Sequence, residues 1–373
     1  MNIYSKGFNA IQNLEEILLD YKNINILVVT GKKSFVSSGS KEAIDNLLNN
    51  YKYTVFSDFE INPKIKDVKK GLRIAKKNKT NLIIAIGGGS VLDMAKLIKG
   101  CFNAVASVEN IIKGFSKIKD PRIPLIAIPT TAGSGSESTH FAVAYIGNNK
   151  YSVADQCLLP EKVILDGALS LSATKYQKAC NVLDALAQAI ESMWAVNSTS
   201  QSKKNSIKAI SMCIECIPEY VSNSQNYEIA QKMLEASNLA GQAINISKTT
   251  APHAWSYGIS INHGVPHGHA VWLTLPKIFE IHAEYSIKNS SLQELKEIMS
   301  KLKSLFNISS NDMILDYFYS FLSSIDIKHD LVNDFKLSKN QRLNLSNSVN
   351  QERLLNNPVN FNKEHINSIF NLD

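Results

Sequence analysis

The sequence predicts a two-part chain: an α/β half built on a mainly parallel, Rossmann-like sheet (residues 1–170), followed by an all-α half (residues 171–373). Three observations carry this. Up to residue 166, short apolar runs alternate with helical patterns, as strands joined by crossover helices do. After about residue 170 those runs stop and long amphipathic patterns replace them. Two of the early runs end in Gly-rich or Thr/Gly/Ser-rich loops.

Taken in order, INILVVT (24–30) is a buried strand running into the turn Gly31-Lys32-Lys33. A helix is expected near 40–50, a short strand at YTVF (53–56) and a Lys-rich amphipathic helix over 64–78. NLIIAIGGGSVLDMAK (81–96) reads as strand, glycine turn and helix start. PLIAIPTTAGSGSEST (124–139) supplies another strand, and KVILD (162–166) closes the α/β half. Helices are expected over 175–195, 201–222, 226–247, 270–306, 310–325 and 337–348. No internal repeat or low-complexity linker is visible, so the halves are expected to pack closely and share a cleft.

Composition excludes several classes of function. The chain has 44% hydrophobic and 20% charged residues, ordinary for a globular protein. No run approaches the ~18 apolar residues of a membrane span, and the start, MNIYSKGFNA, lacks the apolar core of a signal peptide. A cytoplasmic protein with no membrane partner is expected. The net charge of +7 comes from scattered lysines without a nucleic-acid motif, so no nucleic-acid partner is expected. Five cysteines imply no disulfide framework, and the Cys213/Cys216 pair lies on an apolar helical face, where core packing is the reading.

The chemistry concentrates in three places. Gly87, Gly88, Gly89 and Ser90 sit between a strand and a helix, where glycine permits close backbone approach to a phosphate and the helix start favours negative charge. Alone, that turn is as well explained as a tight loop. A second such loop, with Thr130, Thr131 and Ser134, ends a neighbouring strand, and together the two favour a dinucleotide site. Gly31, Lys32 and Lys33 stand where NAD-selective sheets place an acid, which favours the 2′-phosphate of NADPH, with NADH the alternative. These lysines equally suit the cap of a surface turn.

The third place is the stretch Lys248 to Ala270, which holds four of the eight histidines: His253, His263, His267 and His269. Imidazole ligates divalent metals and exchanges protons near neutral pH. Asp184 and Gln188, at i and i+4 of a predicted helix, offer a hard anionic donor and an amide on one face. His253 and Tyr257 share the same spacing.

GGGSVLDMAK, PTTAGSGSEST, LDALAQAIES, PHAWSY with VPHGHA, and a late NNPVNF (356–361) occur in the order and spacing of the iron-containing alcohol dehydrogenases, and the chain resembles that family over essentially its whole length. The resemblance implies the dehydroquinate synthase-like fold of that family, a dinucleotide-binding α/β domain and a helical domain, with a catalytic metal between them. Its metal ligands, one Asp and three His, fall on Asp184, Gln188, His253 and His267, so Gln188 departs from the pattern. Tyr257 stands where the family usually has a further His, and Val182 replaces a Gly. Weaker affinity for a divalent metal, Fe2+ or Zn2+, is the consequence.

The resemblance also places Asn62, Asp93 and Lys150 around the cofactor and makes Tyr257 and His267 the candidate catalytic residues for proton delivery. It suggests a homodimer. Among its branches, the phosphonoacetaldehyde reductases are most similar, through DAL-x-QAIES, KTTAPHA-x-SY and GVPHGHAV. The implied reaction is reduction of a small aldehyde, phosphonoacetaldehyde, to 2-hydroxyethylphosphonate. Lys248, Thr249 and Thr250 are then candidates for the phosphonate. Alternatives are another polar or sugar-derived alcohol or aldehyde and, from a different class, a dehydroquinate-synthase-like lyase.

Overall fold

A computed structural model describes residues 3–119, 121–147, 149–222 and 225–373. The chain divides into two compact units, residues 1–173 with 225–241, and residues 174–224 with 242–373.

The first unit is built on strands β1 (Ile3–Lys6), β2 (Asn25–Thr30), β3 (Lys52–Phe56), β4 (Leu82–Gly87), β5 (Leu125–Pro129) and β8 (Lys162–Leu165), with a hairpin of β6 (Phe141–Ile146) and β7 (Asn149–Ala154). The six-stranded sheet runs β1-β8-β5-β4-β2-β3, every neighbouring pair parallel. β4 and β5 are buried along their whole length, which is why they read as unbroken apolar runs rather than alternating ones. Ile26, Val28, Ile84, Ile86, Ile126 and Ile128 share one core. From β2 the chain steps outward to β3, whereas from β4 it steps to β5 on the other side. The order therefore reverses between β2 and β4, and the crevice beyond their carboxyl ends is where open parallel sheets bind ligands.

Two elements escape the sequence reading. β1 is IYSK, largely exposed, and only its pairing with β8 makes it a strand. The β6–β7 hairpin pairs antiparallel from Phe141↔Ala154 to Ile146↔Asn149. All strands among the described residues lie before residue 166.

The second unit is helical. Lys175–Trp194 and Ser200–Val221 each begin in a capping box, Thr174 with Gln177 and Thr199 with Ser202. The expected single helix over 270–306 is instead interrupted. Pro276 opens a helix at Leu275–Lys288, Asn289 is extended (φ −119°, ψ 99°), and a further helix runs over Gln293–Leu305. No described helix is long and apolar enough to cross a membrane.

The part of the helix Tyr227–Ser247 up to Gly241 groups with the first unit. The loop after β5 lies directly on it. A Cβ on Gly241 would stand 2.5 Å from the Gly135 carbonyl oxygen, and Gly135 itself has φ +57°. Asn238 donates to Glu137 at 3.0 Å, and Ser138 donates to the Asn238 carbonyl at 3.1 Å.

A second close approach lies within the helical unit. His267–Trp272 crosses Lys175–Trp194 so tightly that a Cβ on Gly268 would sit 2.0 Å from the Cys180 carbonyl oxygen and 2.8 Å from the Asp184 nitrogen. Both obstacles are backbone, so a methyl group fits only if the helices part. Gly241→Ala and Gly268→Ala are each expected to lower stability by about 1–3 kcal/mol or more, read as a fall in the urea unfolding midpoint; an unchanged midpoint would show looser packing than described.

Candidate functional site

In the first unit, Gly87 ends β4 and Gly88 caps the 13-residue helix Gly89–Cys101 with extended backbone. The Thr130 amide donates to the Gly87 carbonyl at 3.1 Å, so the loops after β4 and β5 run side by side. A Cβ on Gly88 would touch Thr131 at 3.2 Å, and one on Gly89 would meet the Ser134 hydroxyl at 2.8 Å. Asn62, with φ 63°, donates its amide to Ser90 Oγ at 3.1 Å, bringing a third loop to the same place.

Two side chains of this region have partners of their own within the unit. The turn at Gly31 carries no acid, but Asp58, just beyond β3, ion-pairs with Lys32 at 2.7 Å and also with Lys70. Hydrogen bonds from these two lysines pull the Asp58 carboxyl down to about 2. Lys32 is therefore paired with an acid at the surface, while Lys33 is exposed at the start of the next helix. Asp93 is a brace: one carboxylate oxygen accepts from Ser136 Oγ at 2.7 Å and the other from the Val143 amide at 3.1 Å. Burial pushes its carboxyl up against the lowering charge of Lys96. The charge of Lys150, on β7, also lowers the Asp93 carboxyl.

Lys96 was not singled out from sequence. It is fully buried and donates to Ser136, to the Thr139 carbonyl (2.7 Å) and hydroxyl (3.1 Å) and to the Phe141 carbonyl (2.8 Å). Burial depresses its ammonium to about 8, opposed by Asp93 and Glu137. A lysine in the otherwise apolar face of VLDMAKLIKG was the available signal.

In the second unit, the helix Lys175–Trp194 presents Asp184 and Gln188 to the helix Ala251–His263 and to the His267 turn. Asp184 Oδ1 lies 3.3 Å from His253 Nε2 and 4.0 Å from His267 Nε2. One donor atom from each of these three residues falls within 4.8 Å of the others. The two imidazoles stand nearly perpendicular, centroids 5.1 Å apart. Gln188 is buried and hydrogen-bonds Asp184. One carboxylate and two imidazoles, converging and mostly buried, suit a divalent transition metal.

Burial raises the Asp184 carboxyl, but the His253 hydrogen bond and the charges of both histidines leave it below its usual range. Burial likewise lowers His253, yet Glu191 and Asp184 outweigh it and hold the imidazole up at about 10. Glu191 was not anticipated: it is fully buried and hydrogen-bonded to His253 Nδ1. Ser256 Oγ contacts His267 Nδ1 at 3.3 Å, and Tyr257 stacks on the His267 ring at 5.8 Å, 15° from parallel.

The stretch before His253 is held by partners within the unit. Thr250 spends its amide (2.6 Å) and hydroxyl (2.9 Å) on Glu191 and accepts from Trp194 Nε1 at 2.9 Å, so its polar atoms are committed within the protein. Thr249 is buried, and its carbonyl accepts from Asn356 at 3.0 Å. Lys248 is ion-paired with Glu352 at 2.6 Å. His269 is structural, held between the Tyr176 hydroxyl (2.9 Å) and the Lys328 carbonyl (2.6 Å). His263 ends its helix, half-buried.

Two family models match: iron-containing alcohol dehydrogenase over residues 2–167, and the C-terminal domain of the Fe-containing alcohol dehydrogenase family over residues 178–372. The probable alcohol dehydrogenase EutG of Escherichia coli is 34% identical over 224 residues, covering 59% of this chain and 56% of EutG, so the match spans about half of that relative. Long-chain-alcohol dehydrogenase 1 of Geobacillus thermodenitrificans is 27% identical, covering 78% of this chain and 73% of its own. Among solved structures, the sulfoacetaldehyde reductase of Bifidobacterium kashiwanohense in complex with NAD+ superposes with a TM-score of 0.88 at 26% identity, covering 99% of this chain and 96% of that one. An iron-containing alcohol dehydrogenase of Thermotoga maritima gives 0.82 at 26% identity, over 99% and 97%. With both halves matched and the fold shared end to end, the chain belongs to the iron-containing alcohol dehydrogenase family of enzymes.

Proposed function

We propose that this protein is a nicotinamide-dependent, metal-assisted reductase of a small aldehyde bearing a tetrahedral acidic group, phosphonoacetaldehyde first. The observation that carries the reading is the convergence of Asp184, His253 and His267 in the chain of an alcohol dehydrogenase family member. Asp184, His253 and His267, with Gln188 beside them, would hold a divalent cation able to polarise a carbonyl oxygen, and a bound nicotinamide dinucleotide would supply the hydride. His267 and Tyr257, stacked on one another, are the candidates to deliver the proton to the developing alkoxide.

Gly87–Ser90 and Thr130–Ser134 are the proposed phosphate cradle, with Asn62 fixing Ser90 and the Asp93–Lys96 brace fixing the second loop. NADPH is preferred, because Gly31 removes bulk and charge where an acid would oppose a 2′-phosphate, and the exposed Lys33 follows close after it. Asp58 tempers that preference, which keeps NADH as the alternative. For the acidic group, Lys248 is the retained candidate; engaging it requires exchange with Glu352. A homodimer in the cytoplasm completes the proposal.

The sulfonate analogue is the second reading, favoured by the likeness to a sulfoacetaldehyde reductase. Phosphonate and sulfonate present the same two-carbon aldehyde with a tetrahedral oxyanion. The lyase reading has no support once both halves match dehydrogenase models.

Initial rates of NADPH and NADH oxidation with phosphonoacetaldehyde, sulfoacetaldehyde, acetaldehyde and glycolaldehyde, in enzyme loaded with Fe2+ or Zn2+, test the substrate class. At least a tenfold preference in kcat/KM for the acidic aldehydes is expected, about 1.4 kcal/mol of discrimination; equal rates with acetaldehyde would remove the acidic group from the proposal. Lys248→Ala should raise KM for the acidic aldehydes alone.

Metal dependence is a separate measurement. Asp184→Ala and His267→Ala are expected to lose bound metal and to lower kcat by ~100-fold or more, since Lewis-acid stabilisation is worth several kcal/mol. Full activity after chelation, with no metal left by elemental analysis, would overturn the role of the cluster.

A further inference from the structure

Glu191 is a carboxylate with no exposure, in a helix buried on nearly all sides, and the chemistry assigned so far gives it no task. A buried charge persists only where its lone pairs are filled. Oε1 faces His253 Nδ1, while Oε2 accepts from the Thr250 amide at 2.6 Å and the Thr250 hydroxyl at 2.9 Å. Asp184, on the same helix seven residues earlier, faces the other nitrogen of the same imidazole, Nε2 at 3.3 Å. The spacing 184, 188, 191 is one helical face. A single ring from the neighbouring helix is thus gripped at both nitrogens by one helix.

An ionised carboxylate only accepts, so Nδ1 must carry the proton that points at Glu191. That fixes the ring plane and leaves Nε2, turned to Asp184 and His267, as the nitrogen that would shed its proton to take a cation. An imidazole whose far N–H is held by a carboxylate is the arrangement that orients a metal-ligating histidine and raises its basicity. Thr250 is the N-cap of the helix carrying His253 and has no capping bond of its own side chain. Glu191 therefore also supplies negative charge where that helix end favours it.

We infer that Glu191 is a positioning residue for metal binding: it presents His253 through Nε2 and thereby sets the affinity of the Asp184–His253–His267 cluster for a divalent cation. This rests on the metal reading above. Capping the helix at Thr250 is the competing account of the same bonds, and the two differ in which contact matters.

The test measures Zn2+ and Co2+ affinity by chelator competition on the full chain, beside the unfolding temperature of the metal-free protein and NADPH affinity. The proteins compared are wild type, Glu191→Gln, Glu191→Asp, Thr250→Val and Asp184→Ala. Glu191→Gln is expected to weaken metal binding about 10–100-fold, with NADPH affinity unchanged. Glu191→Asp, which keeps the charge one methylene short, should give an intermediate loss, and it carries the test if the Gln variant does not fold. Thr250→Val, which removes a cap contact and leaves the His253 contact, should bind metal as wild type does. Wild-type affinity in both Glu191 variants, or an equal loss in Thr250→Val, would overturn the positioning role while leaving the metal site standing. Failure of wild type itself to bind metal more tightly than Asp184→Ala would overturn the metal reading and this inference with it.

Discussion

The helical unit depends on one backbone contact, the approach of Gly268 to the turn Cys180–Asp184. Only a hydrogen side chain lets the short His267 helix lie this close, and the closeness is what carries His267 to Asp184. The helix Lys175–Trp194 also meets His253 at Asp184 and Glu191, so two further segments distant in sequence are registered against its buried face. Burying two carboxylates on that face is tolerable because each has hydrogen-bond donors within reach. Removing one partner leaves an uncompensated charge rather than a mere gap.

The α/β unit meets an analogous demand with a cation. The loop after β5 contains little apolar surface and cannot hold its shape by packing. Lys96 reaches into it from the helix after β4 and binds carbonyls of Ser136, Thr139 and Phe141, while Asp93 takes the Ser136 hydroxyl and the Val143 amide. The underside of the loop rests on the Gly135–Gly241 contact. A loop so braced presents its backbone in one conformation, the condition for binding a phosphate through N–H groups without an ordering cost at the moment of binding.

Some of this was legible in the residues. β2, β4, β5 and β8 announce themselves as apolar runs because both faces of a parallel sheet are covered, and the capped helices of the second half announce themselves by period. Asp184, His253 and His267 could be selected because few residue types ligate a metal and these lie in recognisable segments. β1 and the hairpin β6–β7 were not legible: IYSK has no apolar alternation, and its strand character comes from β8, more than 150 residues away. The break at Asn289 was signalled by the polar run Lys288-Asn289-Ser290-Ser291, which the expected helix over 270–306 passed over. Glu191 and Lys96 escaped because a charged residue in an apolar helical face looks like a solvated one until its partners are seen.

Sequence alone determined the buried strands β2, β4, β5 and β8, the two glycine-rich loops at strand ends and the inventory of candidate donors, since these follow from local periodicity and residue chemistry. Tertiary structure decided which donors have work left to do. Thr250 loses its polar atoms to Glu191 and Trp194, Asp93 to Ser136 and Val143, and Lys32 to Asp58. The reason is physical: a buried polar atom takes the nearest partner the packing offers, and that partner is set by which helices and loops touch, a fact that no single segment contains.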